Sequence, residues 1–390
     1  MKRNILVLTE GYIYERRGYF NAVVSRTKHL KAVCDYNIDV LLLTTYEPWI
    51  VRKLRHTPKR EKPKIFQVDG VMMRVDWRRF SLLDYILNVK LHWGDLFTQI
   101  HNERLLKKLK GYDLIIAHSI NCGRLARRVK QLYGIPYTVT WHGSDIHSGP
   151  FNNPSILQPT IDVIEDADMN FFVSKALMDT SEKITKKGIK MVLYNGYNQT
   201  FKRYSEAERF TLRQKYNVIN KKVVVFAGSF FLVKNILIIP HIFKAIYKKN
   251  QDVEFWMIGD GKFRTKVEEL SAGLPIRFWG NQEPESMPDF LNAADVLILP
   301  SKNEGLPLIV VEGLVCGCNV VASLVGGIPE VIGKENCVDL SDSDFIEKFA
   351  DKVLFYLLAN PRIEQKLDPE FNWNRIAQIE NKVIKNILFR

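Results

Sequence analysis

The chain has few cysteines and no arrangement that would pair them. Five in 390 residues (Cys34, Cys122, Cys316, Cys318, Cys337) form an odd, scattered set. That excludes a disulfide scaffold and fits buried free thiols in a reducing compartment. Cys316 and Cys318 have no second pair at zinc spacing, so no metal site is expected. No apolar run reaches the ~18–20 residues that span a bilayer. The start, MKRNILVLTEGY, holds only the short run Ile5 to Leu8 and reads as a first strand rather than a secretory signal. The expected location is the cytoplasm, with the inner face of the cell membrane as the place of any surface contact. No GxGxxG follows the first strand, which argues against a dehydrogenase. There is no low-complexity tract, and no nucleic-acid recognition motif accompanies the basic residues.

The chain is long enough for two domains, and 46% hydrophobic residues supply sizeable cores. Its net charge of +13 is unevenly placed. Residues 1–200 carry 31 Lys and Arg against 19 Asp and Glu, whereas the remainder carries 25 against 24. A strongly basic first half and a neutral second half suit an anionic membrane surface or a lipid diphosphate acceptor, a solvated surface being the plainer reading. Val51 to Lys64 (VRKLRHTPKREKPK) is the most basic window and is expected to be a loop.

Alternating apolar and polar runs give strand-helix-strand units throughout. Strands are expected at residues 4–9, 40–44, 113–118 and 137–141, and again at 223–227, 254–258, 276–279 and 296–299. Asp69-Gly70 marks a hairpin. Leu82 to Leu109 has helical spacing, with Tyr85, Ile86, Val89, Trp93, Leu96 and Phe97 among basic residues. His142 and Asp145 follow directly on a strand, where an open α/β sheet forms its ligand crevice. His118 also ends a strand.

The chain is organised around ILPSKNEGLPLIVVEGL (residues 298–314) and SLVGGIPEVI (323–332). An apolar strand ends at Pro300-Ser301, a polar loop carries Glu304-Gly305-Leu306, and a helix opens with Pro307 in its first turn. Proline suits that place because its φ matches the helix and its missing N–H is not needed there. The amides of Leu308 and Ile309 then point out of the helix end as an anion site. Glu304 lies before the helix and Glu312 about one and a half turns inside it. A diphosphate on the amides, with a carboxylate on the hydroxyls at each end, describes a nucleotide-sugar.

Glu304-x7-Glu312, then Gly317 and Gly326-Gly327-Ile328-Pro329-Glu330, resemble the donor-site signature of retaining glycosyltransferases of GT-B fold, specifically the large family 4. Gly259-Asp260-Gly261 matches that family's GDG, His142-Gly143-Ser144-Asp145 its HGxD, and Asn195-Gly196-Tyr197-Asn198 with Phe201 its link between domains. The resemblance implies two doubly wound Rossmann-like α/β domains facing across a cleft: residues 1–197 on the acceptor side, 198–372 binding the nucleotide-sugar, and a C-terminal helix, 373–390, returning to the first domain. It implies a metal-independent hexosyl- or other glycosyltransferase without cofactor, using a UDP- or GDP-sugar and a saccharide or lipid-linked saccharide acceptor in cell-surface polysaccharide or lipopolysaccharide synthesis. Lys234 would hold the diphosphate, with Ser229 where the family has arginine. Glu304 would grip the sugar, Glu312 the ribose and His142 the sugar, making Glu304, His142 and Lys234 the catalytic set. Gly18, Gly259, Asn281, Gly305, Leu308 and Ile309 complete the donor site. Arg16, Arg17 and Asp145 are the acceptor candidates, Arg16 and Arg17 through a phosphate, a solvated loop being the other reading of that pair. A catalytically silent subunit of the same fold, or a nucleotide-sugar epimerase, are the alternatives.

Overall fold

The structure is a computed structural model that describes residues 2–11, 18–84, 86, 96–359 and 365–389. The chain divides into two units, Met1–Val173 with Leu177–Leu193 and Trp373–Arg390, and Ser174–Ala176 with Tyr194–Asn372. The NGYN link puts the change after residue 197. In the structure it falls at Leu193–Tyr194, because Tyr194 donates to Glu330 at 3.0 Å and packs on the Phe371 ring.

Unit 1 is built on eight strands: β1 (Asn4–Glu10), β2 (Asn37–Tyr46), β3 (Ile65–Val68), β4 (Val71–Arg79), β5 (Leu114–His118), β6 (Tyr137–Trp141), β7 (Met169–Phe172) and β8 (Lys190–Val192). They lie in the order β3-β4-β2-β1-β5-β6-β7-β8. All pair in parallel except β3, which forms a hairpin on β4. Its turn residues Asp69 and Gly70 both have positive φ, 47° and 77°, as a two-residue primed turn requires. The continuous apolar reading of β1 and β5 follows from burial on both faces, with Ile5, Leu6, Leu8, Leu114 and Ile115 all at 0% exposure.

Two helices from opposite ends of the sequence share one face of this sheet. Helix Gly18–Val33 packs against helix Trp373–Leu388, and Val23, Val24 and Ile384 join the core over β1 and β2. Between them Arg26 Nε donates to Glu380 Oε2 at 2.8 Å, both side chains almost fully buried.

The basic window differs from expectation. Trp49–Arg55 is a helix, anchored by fully buried Val51 and stopped by His56 at φ 54°. A single inward apolar residue is too short a period to read from sequence. Of the Leu82–Leu109 segment, Leu82–Asp84 and Leu96–Leu109 are helical. Residues 85 and 87–95, with Tyr85, Val89 and Trp93, lie outside the described residues. No described helix is long and apolar enough to cross a membrane.

Unit 2 carries β9 (Lys222–Ala227), β10 (Val253–Ile258), β11 (Ile276–Gly280), β12 (Val296–Leu299), β13 (Asn319–Ser323) and β14 (Cys337–Val338). They form a parallel sheet in the order β11-β10-β9-β12-β13-β14. The cysteines are all free, and Cys34 is half-buried where the other four are buried.

In each sheet the strand order reverses direction once, between β1 and β5 in unit 1 and between β9 and β12 in unit 2. Crevices outside the carboxyl ends of strands at such reversals are where open α/β sheets take ligands.

Candidate functional site

At the unit 2 reversal, the loop after β9 runs through Gly228 and Ser229 to a short 3-10 turn, Leu232–Lys234, closed by Asn235 at φ 53°. The loop after β12 is tied to it through the Lys302 amide, which donates to the Val233 carbonyl at 2.8 Å. This brings Lys234 Nζ to 2.6 Å from Glu304 Oε1, with side chains only 20% and 11% exposed. The cation assigned to a diphosphate and the carboxylate assigned to a sugar therefore form an ion pair.

Glu304 is held from behind by its own backbone. Gly326 has φ +53°, and a Cβ there would stand 1.9 Å from the Glu304 carbonyl oxygen. The Gly327 amide donates to the Gly305 oxygen at 2.8 Å. The glycine pair thus serves loop-on-loop packing that sets the height of Glu304.

The following helix is Leu308–Val315, so Pro307 stands at its N-cap, one residue earlier than expected. Among the described residues neither the Leu308 nor the Ile309 amide has an acceptor. Two donors at the positive end of the helix dipole are left open beside Lys234 and Glu304. Glu312 lies further along this helix, half-buried, without a charged or hydrogen-bonding partner for its carboxyl among the described residues. Loss of solvation pushes that carboxyl up to about 8.

The loops after β9, β10 and β11 are laced together. The Gly228 amide donates to the Ile258 carbonyl, the Gly259 amide to the Gly280 carbonyl, and the Phe230 amide to the Asp260 carbonyl. A Cβ on Gly259 would stand 2.0 Å from the Gly228 oxygen. Ser229 is half-buried in this lacing, and Asn281 is exposed at its edge. Glu330, the last residue of the signature, is a cap: it accepts from the Lys175 and Ala176 amides at 2.8 and 2.9 Å and from the Tyr194 hydroxyl.

At the unit 1 reversal lies a pocket of about 530 Å³. Its lining includes Glu10 at the end of β1, Ser119 after β5, and His142, Ser144 and Asp145 after β6. His142 Nε2 is 3.0 Å from His118 Nδ1, and the Tyr19 ring meets His142 edge-on at 4.8 Å. The Tyr19 hydroxyl donates to the His118 carbonyl. Burial, then the Arg26 charge, pushes His142 down to about 3. His118 is held well below the usual histidine range by burial, then by His142 and Arg26. Both rings are therefore neutral near pH 7 and share one proton across their contact. Asp145 is engaged in its own loop, accepting from the Gly143 amide at 2.8 Å and the His142 amide at 3.4 Å, and burial raises it to about 6.

Gly18 opens the Gly18–Val33 helix in open space, with nothing within 4 Å of a Cβ built on it. Arg16 and Arg17 lie outside the described residues. No group of three or more His, Cys, Asp or Glu placed to hold a metal is found among the described residues. Sequence reasoning missed Glu10 and Ser119 as lining residues. Each follows directly on a strand, or ends one, on either side of the reversal, but the strand order that brings them together is not written locally.

Residues 221–359 match the family described as Glycosyl transferases group 1. The chain is 25% identical, over 90% of its length and 99% of the relative's, to an uncharacterized glycosyltransferase of Methanocaldococcus jannaschii. It is 26% identical, over 69% of its length and 74% of the relative's, to the UDP-Gal:alpha-D-GlcNAc-diphosphoundecaprenol alpha-1,3-galactosyltransferase of Escherichia coli. Against three other curated relatives it spans only 62%, 56% and 26% of their length. Among solved structures, sucrose-phosphate synthase from Thermosynechococcus elongatus superposes with a TM-score of 0.78 over 100% of both chains at 18% identity, which shows a shared fold.

Proposed function

Residues 221–359 form a glycosyl transferases group 1 domain in a chain of GT-B fold, and on that premise we propose a retaining, metal-independent glycosyltransferase of family 4. It moves a sugar from a UDP- or GDP-sugar to a saccharide or lipid-linked saccharide acceptor, in synthesis of a cell-surface polysaccharide. The observation that carries this reading is the Lys234–Glu304 pair beside the open Leu308 and Ile309 amides at the unit 2 reversal. The Escherichia coli relative, a galactosyltransferase named for a GlcNAc-diphosphoundecaprenol acceptor, supports the acceptor class.

In this reading the amides and Lys234 receive the diphosphate, Glu304 the sugar hydroxyls and Glu312 the ribose. His142 is assigned to the sugar as a neutral hydrogen-bonding group, and Gly259 and Asn281 to the base side. The acceptor oxygen bonds to the anomeric carbon from the face that the leaving diphosphate vacates. The bond from that carbon to the phosphate oxygen breaks, and the acceptor proton passes to the departing phosphate. The chain's part is to neutralise the charge that builds on the leaving group and to orient the reactants. Each charged hydrogen bond to that group contributes about 1.5–3 kcal/mol. Ser229 supplies no such charge, so donor affinity leans on Lys234 and the helix end.

The helix Trp49–Arg55 is the proposed place of membrane contact in unit 1. Trp49, Ile50 and Leu54 are 67%, 42% and 53% exposed. Residues 49–64 carry seven Lys and Arg against one Glu. An exposed tryptophan among basic residues suits the interface of an anionic bilayer.

A thermal-shift screen against UDP-, GDP-, ADP- and CMP-sugars tests the donor reading. A stabilising shift with one nucleotide class, lost in Lys234→Ala, is the expected result; no shift with any of the four overturns it.

A further inference from the structure

The place assigned to the diphosphate in unit 2 is short of positive charge. Lys234 Nζ stands 2.6 Å from Glu304 Oε1, so that pair carries no net charge, and Ser229 brings none. A sugar diphosphate carries a negative charge on each phosphate and gains another as the sugar departs. The amides at the helix end supply partial charge only. The residues assigned so far therefore hold less positive charge than the ligand holds negative.

Lys234 lies over the backbone that links the loops after β9 and β10. A Cβ built on Gly228 would stand 3.9 Å from Lys234 Cε, and one on Gly259 would stand 2.0 Å from the Gly228 oxygen. The contact continues past Ser229. The Phe230 amide donates to the Asp260 carbonyl at 2.9 Å, and the Phe263 amide donates to the Phe230 carbonyl at 3.2 Å. A Cβ on Gly261 would stand 2.8 Å from that same Phe230 oxygen. Two glycines thus let the segments touch, and Lys262, between Gly261 and Phe263, flanks the residue next to Ser229. Its side chain is exposed, with Nζ 5.9 Å from the centre of the Phe263 ring and no carboxylate partner among the described residues. Asp260, the acid of this loop, accepts from the Gly261 amide at 2.7 Å. Arg264 is held by Glu268 and lies 4.5 Å over the Phe278 ring. Lys262 is therefore the cation of these two segments that can move onto a phosphate without leaving a carboxylate. Lys302, also exposed and without an ion pair among the described residues, has its amide on the Val233 carbonyl rather than on the Ser229 segment.

We propose that Lys262 binds the donor's diphosphate and supplies, from the loop after β10, the positive charge that Ser229 does not. The proposal rests on the donor reading of the unit 2 reversal and adds a residue to it. A charged hydrogen bond from an exposed lysine stands at the weak end of its range, so the expected effect on affinity is about tenfold.

The probes are inorganic pyrophosphate, UDP and GDP, titrated against the full chain by calorimetry at low and high salt. Wild type should bind pyrophosphate and at least one of the nucleotides. Lys262→Ala should weaken both about tenfold at low salt, with a smaller difference at high salt, where charge is screened. Its thermal unfolding should match wild type, because the side chain is exposed. Lys262→Arg should keep the affinity, and Ser229→Arg should restore it in the Lys262→Ala background. Lys302→Ala should bind as wild type does. A Lys262→Ala variant that binds as wild type overturns the proposal. So does a loss that falls on Lys302→Ala instead, or one that is equally large at high salt and so reports packing rather than charge. A wild type that binds neither pyrophosphate nor either nucleotide refutes the donor reading and this assignment with it, whereas intact binding in Lys262→Ala refutes the assignment alone.

Discussion

Replacing Glu312 by glutamine should make the empty protein more stable and the loaded one weaker, and the two effects share one cause. Glu312 is half-buried without a partner, and its carboxyl is raised from the ordinary value of 4.5 to about 8. A group whose folded value is raised contributes stability that is complete below its unfolded value and lost as pH climbs through its folded value. Between pH 4.5 and pH 8 the empty protein therefore loses stability that a glutamine, always neutral, does not lose. At about 1.36 kcal/mol per pH unit the full difference at pH 7 is ~3 kcal/mol, and the solvent that still reaches the side chain reduces it to about 1–3 kcal/mol. For a unit of this size that is several degrees in Tm. Urea unfolding of wild type and Glu312→Gln at intervals from pH 4.5 to 8.5 reads it directly: the two curves should coincide at the acid end and diverge steadily as pH rises. Nucleotide binding should show the opposite preference. Accepting from both ribose hydroxyls favours the ionised carboxylate, so binding at pH 7 should release up to about one proton, seen as buffer-dependent enthalpy, and the glutamine variant should release none from this position. A stability difference that stays flat across the range would refute the reasoning.

Three further outcomes follow from the geometry. Gly326→Ala should displace the Glu304 loop, because its Cβ would stand 1.9 Å from the Glu304 oxygen at a φ of +53°. A loss of ~2 kcal/mol or more and of transfer is expected, whereas Gly18→Ala, in open space, should leave unfolding unchanged. Glu380→Ala strands the buried Arg26 guanidinium and should cost about 3–5 kcal/mol, measured by denaturant unfolding. Trp49→Ala with Leu54→Ser should lower sedimentation with phosphatidylglycerol vesicles at low salt; wild-type binding that persists equally in 1 M salt would contradict an electrostatic dock.

The sequence carried the sheet strands well because buried parallel strands are nearly continuous apolar runs, as in β1 and β12. It carried the donor loop too, since Glu304, Pro307 and Glu312 lie within nine residues of one another and their spacing is local. What it did not carry were effects that need the partner element. Gly326-Gly327 read only as part of the donor-site signature, and the backbone that approaches them closely is that of the Glu304 loop. Glu330 read as part of the same signature and proved to cap the Lys175 and Ala176 amides. The Lys234–Glu304 pair joins residues 70 apart in sequence. The unit 1 pocket depends on β1 lying beside β5, with Glu10 and Ser119 separated by 109 positions. The Trp49–Arg55 helix was hidden among charges because only Val51 faces inward.

The most direct measurement is a crystal structure of the protein soaked with a UDP- or GDP-sugar chosen by the thermal-shift screen. The account predicts the diphosphate within hydrogen-bond distance of the Leu308 and Ile309 amides, with Lys234 swung from Glu304 onto a phosphate oxygen. A nucleotide bound elsewhere, with that helix end bare and the Lys234–Glu304 pair intact, would contradict it.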